Sequence, residues 1–356
     1  MFTAQILLPR RLTLRCLSAA LWIGLSVPVV AAPPPPSVTP HGDDVRKQTL
    51  FPVNRDGRWG FINAGGKLVI PLQFQEAHLF TEGLAAVKTG GKWGFIDTTG
   101  RMVLQPRWPY ALGFSEGLAR VWGRDDSAPA FIDRSGRSVF YPQFHAVKFR
   151  GGLAKVSIPV DEGGRVRAPR VGFMDRHGQI AIQMKFDEAW DFAEGLAAVK
   201  TGGKWGFIDT TGNWVICPRY DVASYFAEGL ACVTEGDRTV FINRHGKPEL
   251  RGPFEEAGPF SEGLAAVKTG GKWGYIDTTG RVVAAPNFDE GGAFMNGMAA
   301  IRTRGKYGYI DRTGKIVIRP RFDYGHFFLG ELAMVALEGK TGYVNRRGEY
   351  VWKPSR

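Results

Sequence analysis

From Leu84 to Leu104 the chain alternates short apolar runs with two polar, glycine-bearing breaks. Leu84–Lys88 is rich in Val and Ala and reads as a strand. Thr89-Gly90-Gly91-Lys92 then has the composition of a two-residue hairpin turn. Trp93–Ile96 forms a second apolar run, closed by Asp97-Thr98-Thr99-Gly100. In that turn the Asp side chain takes nearby backbone N–H groups and Gly supplies the positive φ. Arg101–Leu104 is a third strand, and Pro106 is expected to end it because proline lacks the donor a ladder needs. Period-2 alternation puts Trp93 and Phe95 on one face, Gly94 and Ile96 on the other. Both faces carry apolar residues, so both are expected to be covered. Beyond the N-terminus no window has a 3.6-residue apolar period. The prediction is an all-β protein.

The pattern recurs. Glu82–Gly100 (EGLAAVKTGGKWGFIDTTG) reappears unchanged at Glu194–Gly212, and at Glu262–Gly280 with only Tyr275 in place of Phe. The glycine after the tryptophan falls at Gly60, Gly94, Gly172, Gly206, Gly274, Gly308 and Gly342, with Ala130 and Val240 in the same slot. The nine positions are 34 residues apart, except for intervals of 36 and 42 around Ala130. Each is followed three residues later by Asp or Asn and six residues later by Gly. A fixed period of this length means units that cannot bury their own faces and that obtain a core by stacking. The tandem antiparallel hairpin or meander units are expected to form an open solenoid or superhelix. A closed propeller-like ring is the alternative. It is placed second because a ring usually mixes strands from both chain ends in one blade, and here both ends read as complete units.

The KWGFID and KWGYID cores, the conserved-position aromatics and the EGLA box resemble the WG-containing (KWG) repeat family of bacterial proteins. The resemblance runs from about Lys47 to Arg356. It implies a tandem β-repeat protein and no particular activity, since no catalytic residues come with it. The copies at Pro129-Ala130, Val171, Thr239-Val240 and Thr341 depart from the motif and are expected to pack less regularly.

Ahead of the repeats, residues 1–31 have the make-up of a signal peptide. Arg10, Arg11 and Arg15 precede an apolar stretch, Cys16–Val30, and a small-residue cleavage site. The stretch is shorter than the ~20 residues of a spanning helix, so no stable membrane span is expected after cleavage. Residues 32–46 are a proline-rich linker and 47–356 the nine repeats. The expected location is periplasmic or secreted.

Two insertions break the period at the same place, the turn before the tryptophan strand, in consecutive copies. They are Trp122–Ser127, with Arg124, Asp125 and Asp126, and Ser157–Arg170, with Asp161, Glu162, Arg165 and Arg167. In a regular stack these loops would be neighbours, and such insertions often mark a binding face. Tolerated loop growth is the plainer explanation.

Charge changes the picture next. The chain carries +12, and loss of the three leader arginines lowers this by three, to +9. Two residues before the marker glycine stand Arg58, Lys92, Arg170, Lys204, Arg238, Lys272, Lys306 and Lys340. Stacked in register, these cations would repel unless anions compensate. They read either as a polyanion-binding stripe or as a solvated rim paired with the column Glu82, Glu116, Glu194, Glu228 and Glu262. An exported protein seldom meets nucleic acid, so the expected partner is a protein or an anionic envelope polysaccharide. Trp59, Trp93, Trp205 and Trp273 could stack sugars, but aromatics at strand spacing are more often core.

Enzyme signatures are weak. No nucleophile elbow or metal-ligand spacing occurs, one Asp per copy is too few oxygens for calcium, and no cofactor or metal is expected. The alternative to a binding and scaffold protein is an enzyme acting on envelope glycan. Its carboxylates would come from Asp125 or Asp126 and Asp161 or Glu162 on the two loops. Cys217 and Cys232 permit a disulfide in an exported protein; two small buried residues is the other reading.

Overall fold

The computed structural model describes residues 49–123, 129–142, 145–157 and 170–355. The three apolar runs of each repeat are strands, and a short fourth strand precedes them. In the second unit the strands are Glu76–Ala77, Leu84–Thr89, Lys92–Asp97 and Met102–Trp108, hydrogen-bonded antiparallel in that order. A two-residue strand is too short to show alternation, which is why the sequence pattern does not reveal it. Eight sheets have four strands in this order, with the first strand lengthened in three of them, at Ala111–Ser115, His145–Arg150 and Tyr324–Leu329. A three-stranded sheet, Phe51–Arg55, Arg58–Ile62 and Leu68–Phe74, precedes them. The nine sheets are numbered below as blades 1 to 9.

Alternation along the strands decides how the blades meet. Ala85, Val87 and Ile96 of blade 2 pack back on Phe61, Ile70 and Phe74 of blade 1. Ala86, Trp93 and Phe95 pack forward on Phe114, Ala119 and Val121 of blade 3. Each blade therefore buries both faces, but only between neighbours. That is the core arrangement the repeat requires. Trp93, Trp205 and Trp273 are 1%, 7% and 5% exposed, so these three belong to the core and present no sugar-stacking ladder. Trp59 packs half-buried against the blade 1 cluster.

The marker glycine is required by its own fourth strand. A Cβ on Gly206 would lie 2.5 Å from the carbonyl oxygen of Ile216 and 2.7 Å from the nitrogen of Pro218. The strand bulges over the glycine: Phe207 pairs with Ile216 while Trp205 pairs with Tyr220. Two residues on one side thus answer four on the other. The expectation that Pro106 terminates a strand is corrected here. Pro106 lies inside Met102–Trp108 at the equivalent bulge; on an edge strand it need not donate to the ladder. Blade 6 shows the converse. Val240 fills the glycine slot, pairs directly with Arg251, and the fourth strand shortens to Pro248–Arg251.

The open solenoid is also corrected. The nine blades close into a propeller ring, and closure needs no strand exchange among the described residues. Phe51, Val53 and Ile62 of blade 1 form one cluster with Leu332, against which Leu329, Tyr343, Val351 and Trp352 pack. The Arg55 guanidinium lies 4.5 Å above the Trp352 ring. The first and last units being complete does not keep the ends apart, because the forward face of blade 9 and the rear face of blade 1 are the same kind of surface as every other pair. Left open, both would expose apolar area.

Candidate functional site

Antiparallel order brings two connections to one end of every blade: the hairpin between second and third strands, and the link from the fourth strand to the next blade. The basic column stands at that end. Its cations are not equivalent. Lys204 and Lys272 lie 2.6 Å from Asp221 and Asp289, and Lys306 pairs with Asp323 in the same way. Each acid also accepts a backbone N–H from the next blade's hairpin, from Gly236 at 2.8 Å, Arg304 at 2.7 Å and Glu338 at 2.6 Å. These lysines and N–H groups hold the three carboxyls below their usual range. The Arg58 guanidinium donates to the Gln73 carbonyl at 3.4 Å. Among the described residues Lys92, Arg170, Arg238 and Lys340 form no ion pair.

The glutamate column does not neutralise this rim. It sits at the opposite end, in the turn between first and second strands. Glu82, Glu116, Glu194, Glu228 and Glu262 all have φ between 52° and 56°, a left-handed conformation normally left to glycine or Asn. The payoff is a blade-to-blade latch. The Glu194 carboxylate accepts N–H groups of Glu228 at 2.7 Å and Gly229 at 3.0 Å; Glu228 in turn accepts Gly263 at 2.9 Å. Glu82, Glu116 and Glu262 repeat the contact with Gly117, Gly152 and Gly297. Blade 4 has Gly151 in this position, so it has no carboxylate to offer to blade 5.

The one acid per copy is a turn residue, as the sequence suggests. Asp97 Oδ1 accepts from the Thr99 hydroxyl at 2.5 Å, from Thr99 N–H at 3.0 Å and from Arg101 N–H at 3.1 Å. The Thr279 hydroxyl, with help from Arg281, holds the matching Asp277 at about 2. Among the described residues no three His, Cys, Asp or Glu side chains converge as a metal site would need, and no helix is long and apolar enough to cross a membrane.

Of the two insertions, Arg124, Asp125, Asp126, Asp161, Glu162, Arg165 and Arg167 lie outside the described residues, as do residues 1–48 with the leader and linker. Their anchors are described: Val121 pairs with Ala130 in blade 3 and Ser157 with Val171 in blade 4, at the basic end of adjacent blades.

Cys217 and Cys232 are not joined in a disulfide. Cys217 is exposed on the fourth strand of blade 5. Cys232 is 2% exposed on the second strand of blade 6 and packs forward on Ala257, Phe260 and Ala265 of blade 7. Its neighbours Ala231 and Val233 face blade 5. Alternation therefore points the Cys232 thiol away from the blade that carries Cys217, and the disulfide reading is corrected to a small buried residue.

Three groups escape a reading that follows the repeat, because they are departures from it. The displaced fourth strand of blade 6 leaves a cavity of about 560 Å³ lined by Arg238, Val240, Arg251 and Phe254 among others. Lys148 lies 3.9 Å from Asp191 of the next blade, and burial pushes its ammonium pKa down. In blade 3, Tyr110, Arg120 and Trp122 stand where other copies hold Glu, Ala and Lys. The repeat's spacing marks Arg238 and Val240 of the first group and Trp122 of the last, which opens an insertion; Lys148, Tyr110 and Arg120 stand out only when the copies are compared position by position.

No curated protein matches the sequence. Among solved structures the chain is similar to a eukaryotic initiation factor, 14% identical with a TM-score of 0.55 over 87% of this chain and 97% of that one. It also aligns with apo AztD from Citrobacter koseri, 12% identical with a TM-score of 0.40 over 87% and 93%. At such identities the first likeness bears on the fold alone. The sequence itself says more. A repeat model described as WG containing repeat matches residues 59–93, 93–121, 130–158, 172–205, 205–238, 241–273, 273–307 and 307–340, each interval running from one blade's third strand toward the next, and the chain belongs to the WG containing repeat family.

Proposed function

We propose that the protein is an exported, non-enzymatic β-propeller that binds or scaffolds an anionic partner of the bacterial envelope, an acidic polysaccharide or an acidic protein surface. The observation that carries this reading is the distribution of charge at one end of the ring. Lysines of blades 5, 7 and 8 are committed to aspartates, whereas Lys92, Arg170, Arg238 and Lys340 form no ion pair among the described residues, although Asp187 and Glu255 stand at the aspartate position relative to Arg170 and Arg238. Cations without an ion pair at one end of a rigid ring suit a polyanion that touches several blades at once. The net charge of +12 and the leader-like N-terminus support export and an anionic partner together.

Retention on immobilised dextran sulfate tests the reading. Replacing Lys92, Arg238 and Lys340 together by Gln should lower the salt needed for elution, because exposed charge interactions are screened over about 8–10 Å at physiological ionic strength. Replacing the paired Lys204, Lys272 and Lys306 should do less. Equal retention of both triple variants and the parent would overturn it.

A further inference from the structure

Blade 3 departs from the repeat at three positions that meet in space. In blades 2, 5, 7 and 8 a cross-strand ion pair links the first and second strands: Glu76–Lys88, Glu188–Lys200, Glu256–Lys268 and Glu290–Arg302, at 2.6–2.8 Å. Carried one step beyond the pairing of Ala111 with Val121, the same register in blade 3 opposes Tyr110 and Trp122, joined by a backbone bond from Trp122 N–H to the Tyr110 carbonyl. Their rings meet edge-on, with centroids 4.9 Å apart and planes at 77°. Tyr110 is 37% exposed, and its ring reaches back toward Trp93 at 5.9 Å. A solvated ion pair has thus become a corner of two aromatic faces open to water.

The third departure lies behind that corner. Where four other copies have Ala86, Ala198, Ala266 and Ala300, blade 3 has Arg120. Only 4% of it is exposed, and its guanidinium carbon sits 4.5 Å from the Trp122 ring centroid. Its Nε is buried without a hydrogen-bond partner. Among the described residues no carboxylate pairs with it, and burial alone pushes its pKa down. Burying an unpaired charge is costly, and such groups are normally paired. The guanidinium brings beside the indole a positive charge that is unpaired among the described residues, which favours a ligand that carries negative charge.

We propose that Tyr110, Trp122 and Arg120 form a subsite for one carboxylate-bearing sugar residue of an acidic polysaccharide, with the pyranose ring against the Trp122–Tyr110 corner and its carboxylate compensating the Arg120 guanidinium. Aromatic faces stack on the C–H face of a pyranose, and the guanidinium selects the acidic sugar over its neutral counterpart. The proposal rests on the reading of the protein as a binder of anionic polymers and assigns that reading one asymmetric site.

The test uses the full chain and four probes: a galacturonate trisaccharide, its neutral galactose counterpart, a triglutamate peptide and dextran sulfate. Tryptophan fluorescence and calorimetry follow binding. Tyr110→Glu with Trp122→Lys restores the Glu–Lys pair that three other blades carry, and Arg120→Met installs the residue blade 9 has as Met334, so both variants should fold with an unchanged or higher melting temperature. The parent should bind the acidic trisaccharide at least tenfold more tightly than the neutral sugar or the peptide. The double variant should lose that binding at least tenfold, and Arg120→Met should abolish the preference for the acidic sugar. Dextran sulfate retention, which reports the basic rim, should persist in both. Equal affinity for the neutral sugar or for triglutamate, no binding of the acidic sugar by the parent, or undiminished binding by the variants would overturn the subsite. Loss of dextran sulfate retention in the rim variants is a separate result and bears only on the wider reading.

Discussion

The Tyr343 hydroxyl donates to the backbone carbonyl of Pro52 at 3.0 Å, joining residues 291 positions apart. The same ring meets Phe51 edge-on, centroid to centroid at 5.5 Å. This pair of residues marks where blade 9 meets blade 1. Tyr343→Phe should keep the ring contact and lose the hydrogen bond, lowering stability by about 1 kcal/mol. Tyr343→Ala should cost several times as much and weaken closure itself. Small-angle scattering would register any opening as a larger radius of gyration; an unchanged radius and melting temperature for Tyr343→Ala would show that this contact does not hold the ring.

The marker glycine gives a paired prediction. Gly206→Val puts a side chain where the Ile216 carbonyl already stands 2.5 Å from the ideal Cβ position, and overpacking of this sort costs roughly 1–3 kcal/mol. Val240→Gly, in the blade whose fourth strand lacks the bulge, should change stability through lost burial and not through strain. Denaturant midpoints of the two variants check this, and equal small shifts would remove the close-approach argument.

For the latch, Glu194→Ala and Glu194→Gly both delete the acceptor for Glu228 and Gly229. Glycine relieves the left-handed backbone, which costs a non-glycine residue about 1 kcal/mol. Alanine keeps that strain and loses the hydrogen bonds. The expected order of stability is parent, then glycine, then alanine, with the alanine variant down by about 1–2 kcal/mol. Hydrogen exchange at Gly229 should accelerate in both variants.

Acid should weaken the ring through His78. Its Nε2 is buried without a partner beside the Trp93 ring, and burial lowers its pKa from 6.5 to about 4. Burial does the same to His326. Between those values the unfolded chain binds a proton that the folded chain refuses. Stability is therefore complete above about pH 6.5, falls as pH drops toward 4, and levels off below it. His78→Leu, the residue at the equivalent Leu112, should flatten part of that slope. A melting temperature with the same pH dependence in the variant would refute the assignment.

Thiol reactivity distinguishes Cys217 from Cys232. Under native conditions one equivalent of alkylating reagent should label Cys217 quickly, while Cys232 should react only on unfolding. Intact mass before and after denaturation reads both, and a native mass showing neither thiol labelled would contradict the structure.

Much of this architecture is present in the one-dimensional pattern. Alternation in Trp93–Ile96 assigns Trp93 and Phe95 to one interface and Ile96 to the other; the Asp97 turn follows from local hydrogen bonding; and the period requires stacking. These are short-range properties, fixed within one unit. Closure is different. Whether the small rotation between successive blades sums to a full turn depends on how Phe114 seats against Phe95 and on every later copy of that contact, none of which a repeat of 34 residues encodes in its spelling. Alternation likewise predicts that Cys232 has a face but not which neighbour occupies it. The glutamate column shows the same division: its periodicity is in the sequence, yet only the ring brings Glu194 to the N–H groups of the next blade and leaves the lysines to the aspartates. Arg120 was visible as a letter all along. Its meaning came from three-dimensional placement, because a charge becomes unusual only when the surrounding chain removes its water.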